Sequence, residues 1–300
     1  ALNDALRLAR GMTYKNALAG LPFGGGKSVL LAGDGVADRQ ALFRAHGRLI
    51  ESLNGSYITA EDVGTSPADM EFILQETRYV GGLASRSGDP SPHTARGVFR
   101  AMQSAARLRW GSDSLAGKRV AIQGCGHVGQ HLARELQRAG AGLLLSDVDD
   151  KRASALAREV GGELVPPAKI YSAAAEVFAP CALGGILNDD TIASLRAEIV
   201  CGAANNQLLE PRHGEMLRDR GILYVPDYAA NAGGVINGCC RELLGWSVEK
   251  TVAKIEAIYS TIDEIFALAE REKIGSHVAA DRLAEGIFAA APARSSAPTR

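Results

Sequence analysis

Two lysines and an aspartate stand beside glycines or strand ends in the first quarter of the chain. Lys15 lies in "TYKNA", Lys27 in "GLPFGGGKS" and Asp62 in "YITAEDVG". Two ammonium groups facing one pocket depress each other's pKa. One then becomes a base near neutral pH, and the other stays charged to grip an anion. The spelling "GGGKS" also invites a phosphate cradle. That cradle requires a glycine, four residues, then Gly-Lys-Ser/Thr. Position 21 is Leu, and the nearest glycine, Gly20, is one place too far. A cradle also follows a buried strand and opens a helix. Here the order is reversed. Upstream, Leu2, Leu6, Ala9 and Met12 recur at helical spacing; downstream, "SVLLA" reads as a strand. The context therefore opposes a phosphate loop, and each lysine taken singly reads as a solvated surface charge.

A second glycine pattern has the context that the first lacks. Gly124, Gly126 and Gly129 follow the strand Val120–Gln123 and open a helix, and Asp147 ends the next strand. In such a unit the glycines allow a tight turn, close approach of a pyrophosphate and helix–strand packing. The helix N-terminus adds free N–H groups and a positive dipole end. The turn Gly124, Cys125, Gly126, His127, Val128, Gly129 and Gln130 is thus the expected dinucleotide cradle, with Cys125 as a small filler. Asp147 would accept from ribose hydroxyls and repel a 2′-phosphate. Val148 offers no compensating arginine, so NAD is expected over NADP. A structural turn capped by Asp147 is the plainer alternative. A dinucleotide domain makes the first segment a substrate domain, with Lys15, Lys27 and Asp62 facing the nicotinamide.

The elements that must position these groups are alternating helices and strands. A helix is expected from Val36 to Leu53, with Ala41, Leu42, Ala45, Leu49 and Ile50 on its apolar face, then a strand at "SYITA". Ser66, Pro67 and Asp69 have the chemistry of a helix start. "GGLASRSGDPSP" reads as a linker before a helix from Thr94 to Trp110. Beyond Lys118, "EVFAPCA", "EIVCGAA" and "ILYVPD" are buried strands of an open parallel α/β sheet, and residues 234–288 are helical in pattern. The expected organisation is a substrate domain at 1–93, a doubly wound, Rossmann-type dinucleotide domain at 94–233, helices returning at 234–290 and a disordered tail at 291–300.

The chain has 300 residues, 46% apolar, with net charge −1, which gives no sign of a nucleic-acid or membrane partner. No apolar run approaches the roughly 20 residues of a membrane span. Five cysteines without C-x-x-C spacing read as reduced thiols of a cytoplasmic enzyme, and the six histidines show no metal-ligand spacing, so no metal is expected.

Several motifs in order carry a resemblance over nearly the whole chain: "GMTYKNALAGLPFGGGKS", "YITAEDVGTSPADM", "GDPSPHTARGV", "VAIQGCGHVG", "FAPCALGGILND", "GAANNQL" and "PDYAANAGGVIN". The sequence resembles the amino-acid dehydrogenases acting on glutamate, leucine, phenylalanine and valine. "NNQLLEPRHGEML" and "VAADRLAE" are most similar to the leucine-acting members. The resemblance implies reversible, NAD-dependent oxidative deamination of an aliphatic L-amino acid to a 2-oxo acid and ammonia, by a homo-oligomer. It assigns Lys27 as catalytic lysine, Asp62 as second proton-transfer group and Lys15 as the grip on the substrate carboxylate. It places Thr94, Ala203 and Asn205 at the nicotinamide and Asn206 at the substrate. Ala60, Val235 and Gly238 would line the side-chain pocket. Two departures stand out. The family's opening strands are missing, so the chain is expected to be a fragment. Gly238 also replaces a bulkier residue of the branched-chain enzymes, leaving a phenylalanine-type substrate open. A different NAD oxidoreductase and a non-catalytic NAD-binding protein are the remaining alternatives.

Overall fold

A computed structural model describes residues 1–31, 38–62, 64–83 and 86–290. The expected tail at 291–300 and the expected helix start at Val36 lie outside the described residues. After helix α1 (Leu2–Leu18) come residues 19–31, in no helix or strand, and then α2 (Arg39–Ser52) and α3 (Pro67–Leu74). Asp38 caps α2 through the Ala41 N–H. At α3, the helix start read from the sequence, the Ser66 hydroxyl and the Asp69 carboxylate satisfy each other's backbone N–H groups in a capping box.

The two strands expected here do not form. Among the described residues, 28–31 of "SVLLA" lie in no helix or strand and carry no ladder, and "SYITA" contributes only an isolated bridge from Thr59 to Val80. A strand exists by pairing, and the apolar character of the segment does not supply a partner. Val29, Leu30 and Leu31 are accordingly exposed. The buried face of α2 also differs. It carries Phe43, His46, Gly47 and Ile50, while Leu49 is exposed. Gly47 sets this rotation, because a Cβ there would lie 3.0 Å from the Ile73 carbonyl of α3.

Helix α4 is continuous over Ser91–Trp110, three residues earlier than expected. Asp89 accepts the Ser91 N–H at its start, and Gly111 ends it in the left-handed region at φ 75°. Next come β1 (Arg119–Gln123), α5 (His127–Arg138), β2 (Gly142–Ser146), α6 (Asp150–Val160) and β3 (Glu163–Leu164). They are followed by β4 (Val177–Pro180), α7 (Asp189–Ser194), β5 (Ile199–Val200), α8 (Arg212–Asp219) and β6 (Leu223–Tyr224). All six strands are parallel in the order β3-β2-β1-β4-β5-β6, the doubly wound arrangement. Val120, Ile122, Val177 and Ile199 are fully buried, as strands covered on both faces must be.

The chain then returns through α9 (Asp227–Ala230), α10 (Gly233–Gly238), a π-turn at Cys239–Leu243, α11 (Val248–Glu256), α12 (Ile258–Glu272) and α13 (Ser276–Ala290). Helix α13 packs on α1, where Tyr14 donates to Glu285 and Tyr228 to Asp281. The first and last helices are thereby joined, and the last turn of α1, which carries Lys15, is held against the sheet half.

Candidate active site

In this sheet order the topological switch point lies between β1 and β4, where the connections diverge and ligands characteristically bind. The glycine turn sits there. Gly124 has φ 103°, and a Cβ on it would lie 2.8 Å from the Ala182 backbone nitrogen. A Cβ on Gly129 would meet the Gly124 carbonyl. Gly126, the N-cap of α5, behaves differently. Its Cβ direction is empty to 4 Å. Two glycines are therefore needed for packing, and the third leaves room over a helix N-terminus for an anionic group to approach. Gln130 braces the turn by donating to the Cys125 carbonyl at 3.0 Å. His127 is exposed beside it.

Asp147 is largely engaged by the turn itself. One oxygen accepts the Cys125 N–H at 2.7 Å, and the other accepts the Asp149 N–H at 2.9 Å. Each oxygen keeps a further acceptor site for a ribose hydroxyl. An arginine is nevertheless in reach. Arg152, on α6, lies 3.7 Å from Asp147, while Val148 points into solvent. Inspection of the neighbouring position alone could not find it, because one helical turn brings it back. Cys125 is fully buried and its thiol is pushed up to about 11, so it fills space as a neutral group.

A cleft of about 700 Å³ opens beside the turn. Lys15, Ala60, Asp62, Thr94, Val128, Ala203, Asn205, Val235 and Gly238 all line it. Residues read from both halves of the sequence thus converge on one space. Thr94 stands close against Gly234, where a Cβ would come within 2.6 Å of its hydroxyl. Lys27 is tied to the cleft through Asp62, with which it forms an ion pair. Asn206 is not brought in. It is exposed in the left-handed region at φ 52°, and its carbonyl accepts from the Gly185 N–H.

Two of the three glycines before Lys27, Gly25 and Gly26, serve close packing, while the Cβ direction of Gly24 is empty to 4 Å. A Cβ on Gly25 would lie 2.2 Å from the Ala9 carbonyl of α1, and one on Gly26 would lie 2.6 Å from the Tyr57 ring. None of the three has a positive φ, so they build no anion nest. Asn16 donates to the Gly24 carbonyl at 2.6 Å and clasps the segment to α1 beside Lys15.

Burial dominates the lysines. Lys15 is 8% exposed, and desolvation pushes its pKa down to about 8, with Asp227 opposing and Lys27 adding to the fall. Burial also lowers Lys27. Desolvation, rather than the mutual repulsion expected from the sequence, is the larger cause for both. Lys15 donates to Asn205 Oδ1 at 3.2 Å, and Asn231 donates to the same atom at 2.7 Å. Asn231 and Asp227 were not singled out by sequence reasoning. The available signal was their place just past the carboxyl end of β6, the side of the sheet that bears the cleft.

The profile described as Glu/Leu/Phe/Val dehydrogenase, dimerisation domain, matches residues 1–79. That of Glutamate/Leucine/Phenylalanine/Valine dehydrogenase matches residues 81–151 and 143–290. Leucine dehydrogenase of Geobacillus stearothermophilus is 53% identical over 288 residues, covering 95% of this chain and 78% of that protein. L-tryptophan dehydrogenase of Nostoc punctiforme is 48% identical over 286 residues, covering 95% of this chain and 80% of that protein. A crystal structure of the Nostoc punctiforme enzyme superimposes with a TM-score of 0.85 at 46% identity, covering 96% of this chain and 83% of that one.

Proposed function

This chain belongs to the glutamate/leucine/phenylalanine/valine dehydrogenase family, and we propose that it deaminates aliphatic L-amino acids, leucine, valine and isoleucine first, with NAD as acceptor. The convergence of Lys15, Asp62 and the glycine turn on one cleft carries the reading. The dinucleotide would lie on Gly124–Gln130, with Asp147 at the ribose and Thr94, Ala203 and Asn205 near the nicotinamide. When bound, it supplies the hydride acceptor.

The chain's own groups supply positioning and proton transfer. Lys15 grips the α-carboxylate. Lys27 takes a proton from the water that adds to the substrate imine, and Asp62 passes a proton to the departing ammonia. Their ion pair fits two groups that exchange a proton. Lys15, the more deeply buried lysine, is suited to pairing with a carboxylate, which restores the charge balance lost on burial. Asn205 rather than Asn206 is the asparagine in contact with this grip.

Ala60, Val235 and Gly238 form an apolar side-chain pocket. Gly238 favours a second reading, an aromatic substrate, because its Cβ direction is empty. We assign the family's oligomeric habit on the match of residues 1–79 to a dimerisation domain, supported by exposed Leu2 and Leu6. Among the described residues no helix is long and apolar enough to cross a membrane, and the five cysteines are unpaired, which suits the reducing cytoplasm. The test is nicotinamide absorbance with a panel of L-amino acids and either NAD or NADP. Aliphatic substrates with NAD should give the highest kcat/KM. Turnover of glutamate above leucine would overturn the substrate assignment, and absence of turnover with every amino acid would overturn the enzyme.

A further inference from the structure

Asp227 is a buried acid that the proposed chemistry does not use. It is 7% exposed, at the start of α9 immediately past the end of β6. One carboxylate oxygen accepts the Gln207 N–H at 2.8 Å and the Tyr224 hydroxyl at 3.3 Å. Helix α9 packs against α1, and Asp227 attracts Lys15 across that contact. Lys15 is in turn hydrogen-bonded to Asn205, which Asn231 holds from the C-terminal end of the same short helix. Two buried opposite charges thus sit among neutral donors and acceptors. The other charged groups nearby are accounted for. Lys27 faces Lys15 from the segment after α1. Asp281 and Glu285 of α13 are taken by Arg10, Tyr14 and Tyr228.

We propose that Asp227 is the positioning residue that keeps Lys15 an ammonium in its buried place, so that the amino acid's carboxylate meets a cation rather than a neutral amine. Lys15 is desolvated and lies near a second lysine, and both influences favour the neutral amine. Asp227 is the acid that opposes them. Its own burial is the larger influence and raises its pKa, and the Gln207 N–H, Lys15 and the Tyr224 hydroxyl offset part of that cost. Substrate binding then exploits a cation already in place.

The inference rests on the reading of Lys15 as the carboxylate grip, and the two fail separately. KM for L-leucine at saturating NAD is measured across about pH 6 to 9.5 in the unmodified chain, Asp227→Asn and Lys15→Ala. Losing an opposite charge lowers a lysine by about 1–3 pKa units, so the Asp227→Asn KM should begin to climb at lower pH than in the unmodified chain. For a drop of one unit the KM ratio should approach about tenfold well above pH 8 and vanish towards pH 6, where Lys15 is then protonated in both; a larger drop makes the ratio larger and moves its rise to lower pH. A merely structural role would raise KM by the same factor at every pH, and that result, or no rise, overturns the proposal. If Lys15→Ala leaves KM unchanged, the grip itself is wrong and the inference falls with it. Should Asp227→Asn not fold, Tyr224→Phe removes one donor from the carboxylate and should move the rise the same way by less. An unmoved profile there is equally fatal.

Discussion

The sheet half of the molecule and the lysine-bearing segment before it hold their site residues by different means. In the sheet half the frame is backbone. Six parallel strands are laddered to one another, and the glycine turn is fixed by the Gly124 φ of 103° and by carbonyl-to-glycine contacts. Among the described residues of 1–80 a single bridge, Thr59 to Val80, stands in for a sheet. The segment carrying Lys27 is held instead by the Asn16 clasp, the Tyr57 ring over Gly26 and the pair with Asp62. A ladder separates scaffold from chemistry, because side chains can change while the backbone bonds persist. Where side chains are themselves the scaffold, a change to one site residue disturbs its neighbours as well.

The largest expected effect breaks the chemistry of the lysine segment. Lys27→Ala should lower kcat by a factor on the order of 100 or more, the usual cost of losing a positioned acid–base group. Steady-state rates at saturating leucine and NAD measure it, with KM for NAD as the control for an intact sheet half. Near-normal kcat would remove Lys27 from the chemistry. The pH dependence divides in the same way. Lys27 must be neutral to act, so kcat should rise with pH as the burial-lowered lysine loses its proton. Lys15 must be charged, so KM should worsen above about 8.

The second prediction sharpens the contrast from the other side. Gly126→Ala adds a methyl where nothing lies within 4 Å, at an ordinary φ of −71°, so the thermal midpoint should hold. If the pyrophosphate occupies that space, KM for NAD should rise by about tenfold, the equivalent of roughly 1.4 kcal/mol. Gly124→Ala should do the reverse. Strain at its φ and the contact with Ala182 cost on the order of 1–3 kcal/mol of stability. Equal loss of stability in both variants would mean that the turn glycines have no division of labour.

The two halves also differ in how much could be read beforehand. The glycine turn, the strands β4, β5 and β6 and the helix start at Ser66, Pro67 and Asp69 follow from local chemistry, and all are found in place. The failures cluster where structure depends on remote partners. Residues 28–31 have the composition of a strand but no ladder beside them. The buried face of α2 is chosen by Gly47 fitting against α3, which no periodicity within α2 announces. Lys15 and Lys27 lie near enough to repel each other, as the sequence reading has them, yet Asp227 was missed because it comes near Lys15 only through the packing of α9 on α1. Arg152 was missed for a similar reason, the return of a helical turn towards the strand end.

Arg152 supplies the third prediction. It sits 3.7 Å from Asp147, close enough to receive a 2′-phosphate once the carboxylate is removed. Asp147→Ala should weaken NAD and improve NADP, moving the ratio of their kcat/KM values by about tenfold. Because Asp147 also bonds the turn, some stability should be lost with it. The double variant with Arg152→Ala should lose the NADP gain. An Asp147→Ala enzyme with unchanged cofactor ratio would reduce Asp147 to the cap of its own turn.

The smallest expected effect concerns the proposed side-chain pocket, to which the lysine segment and the returning helices contribute. Ala60 comes from the lysine segment, and Val235 and Gly238 from α10. All three are small or apolar, so a charged substrate side chain would be buried there without a partner, at a cost of several kcal/mol. Among apolar substrates the discrimination is finer, because one methylene is worth about 1–3 kcal/mol. Gly238 lines the cleft with no atom within 4 Å of its Cβ direction. Its conformation is ordinary, since φ is not positive, so a side chain there meets neither strain nor a neighbour. Gly238→Val should therefore fold normally and shorten the pocket. A phenyl ring needs the lost depth more than an isopropyl group does, so kcat/KM should fall more for phenylalanine than for valine, by a few-fold to about tenfold. The comparison is internal to one enzyme preparation, with Lys15, Lys27 and the glycine turn untouched, so a change in the ratio reports pocket shape alone. An unchanged phenylalanine-to-valine ratio would place Gly238 outside the substrate's reach and leave Ala60 and Val235 to set the depth.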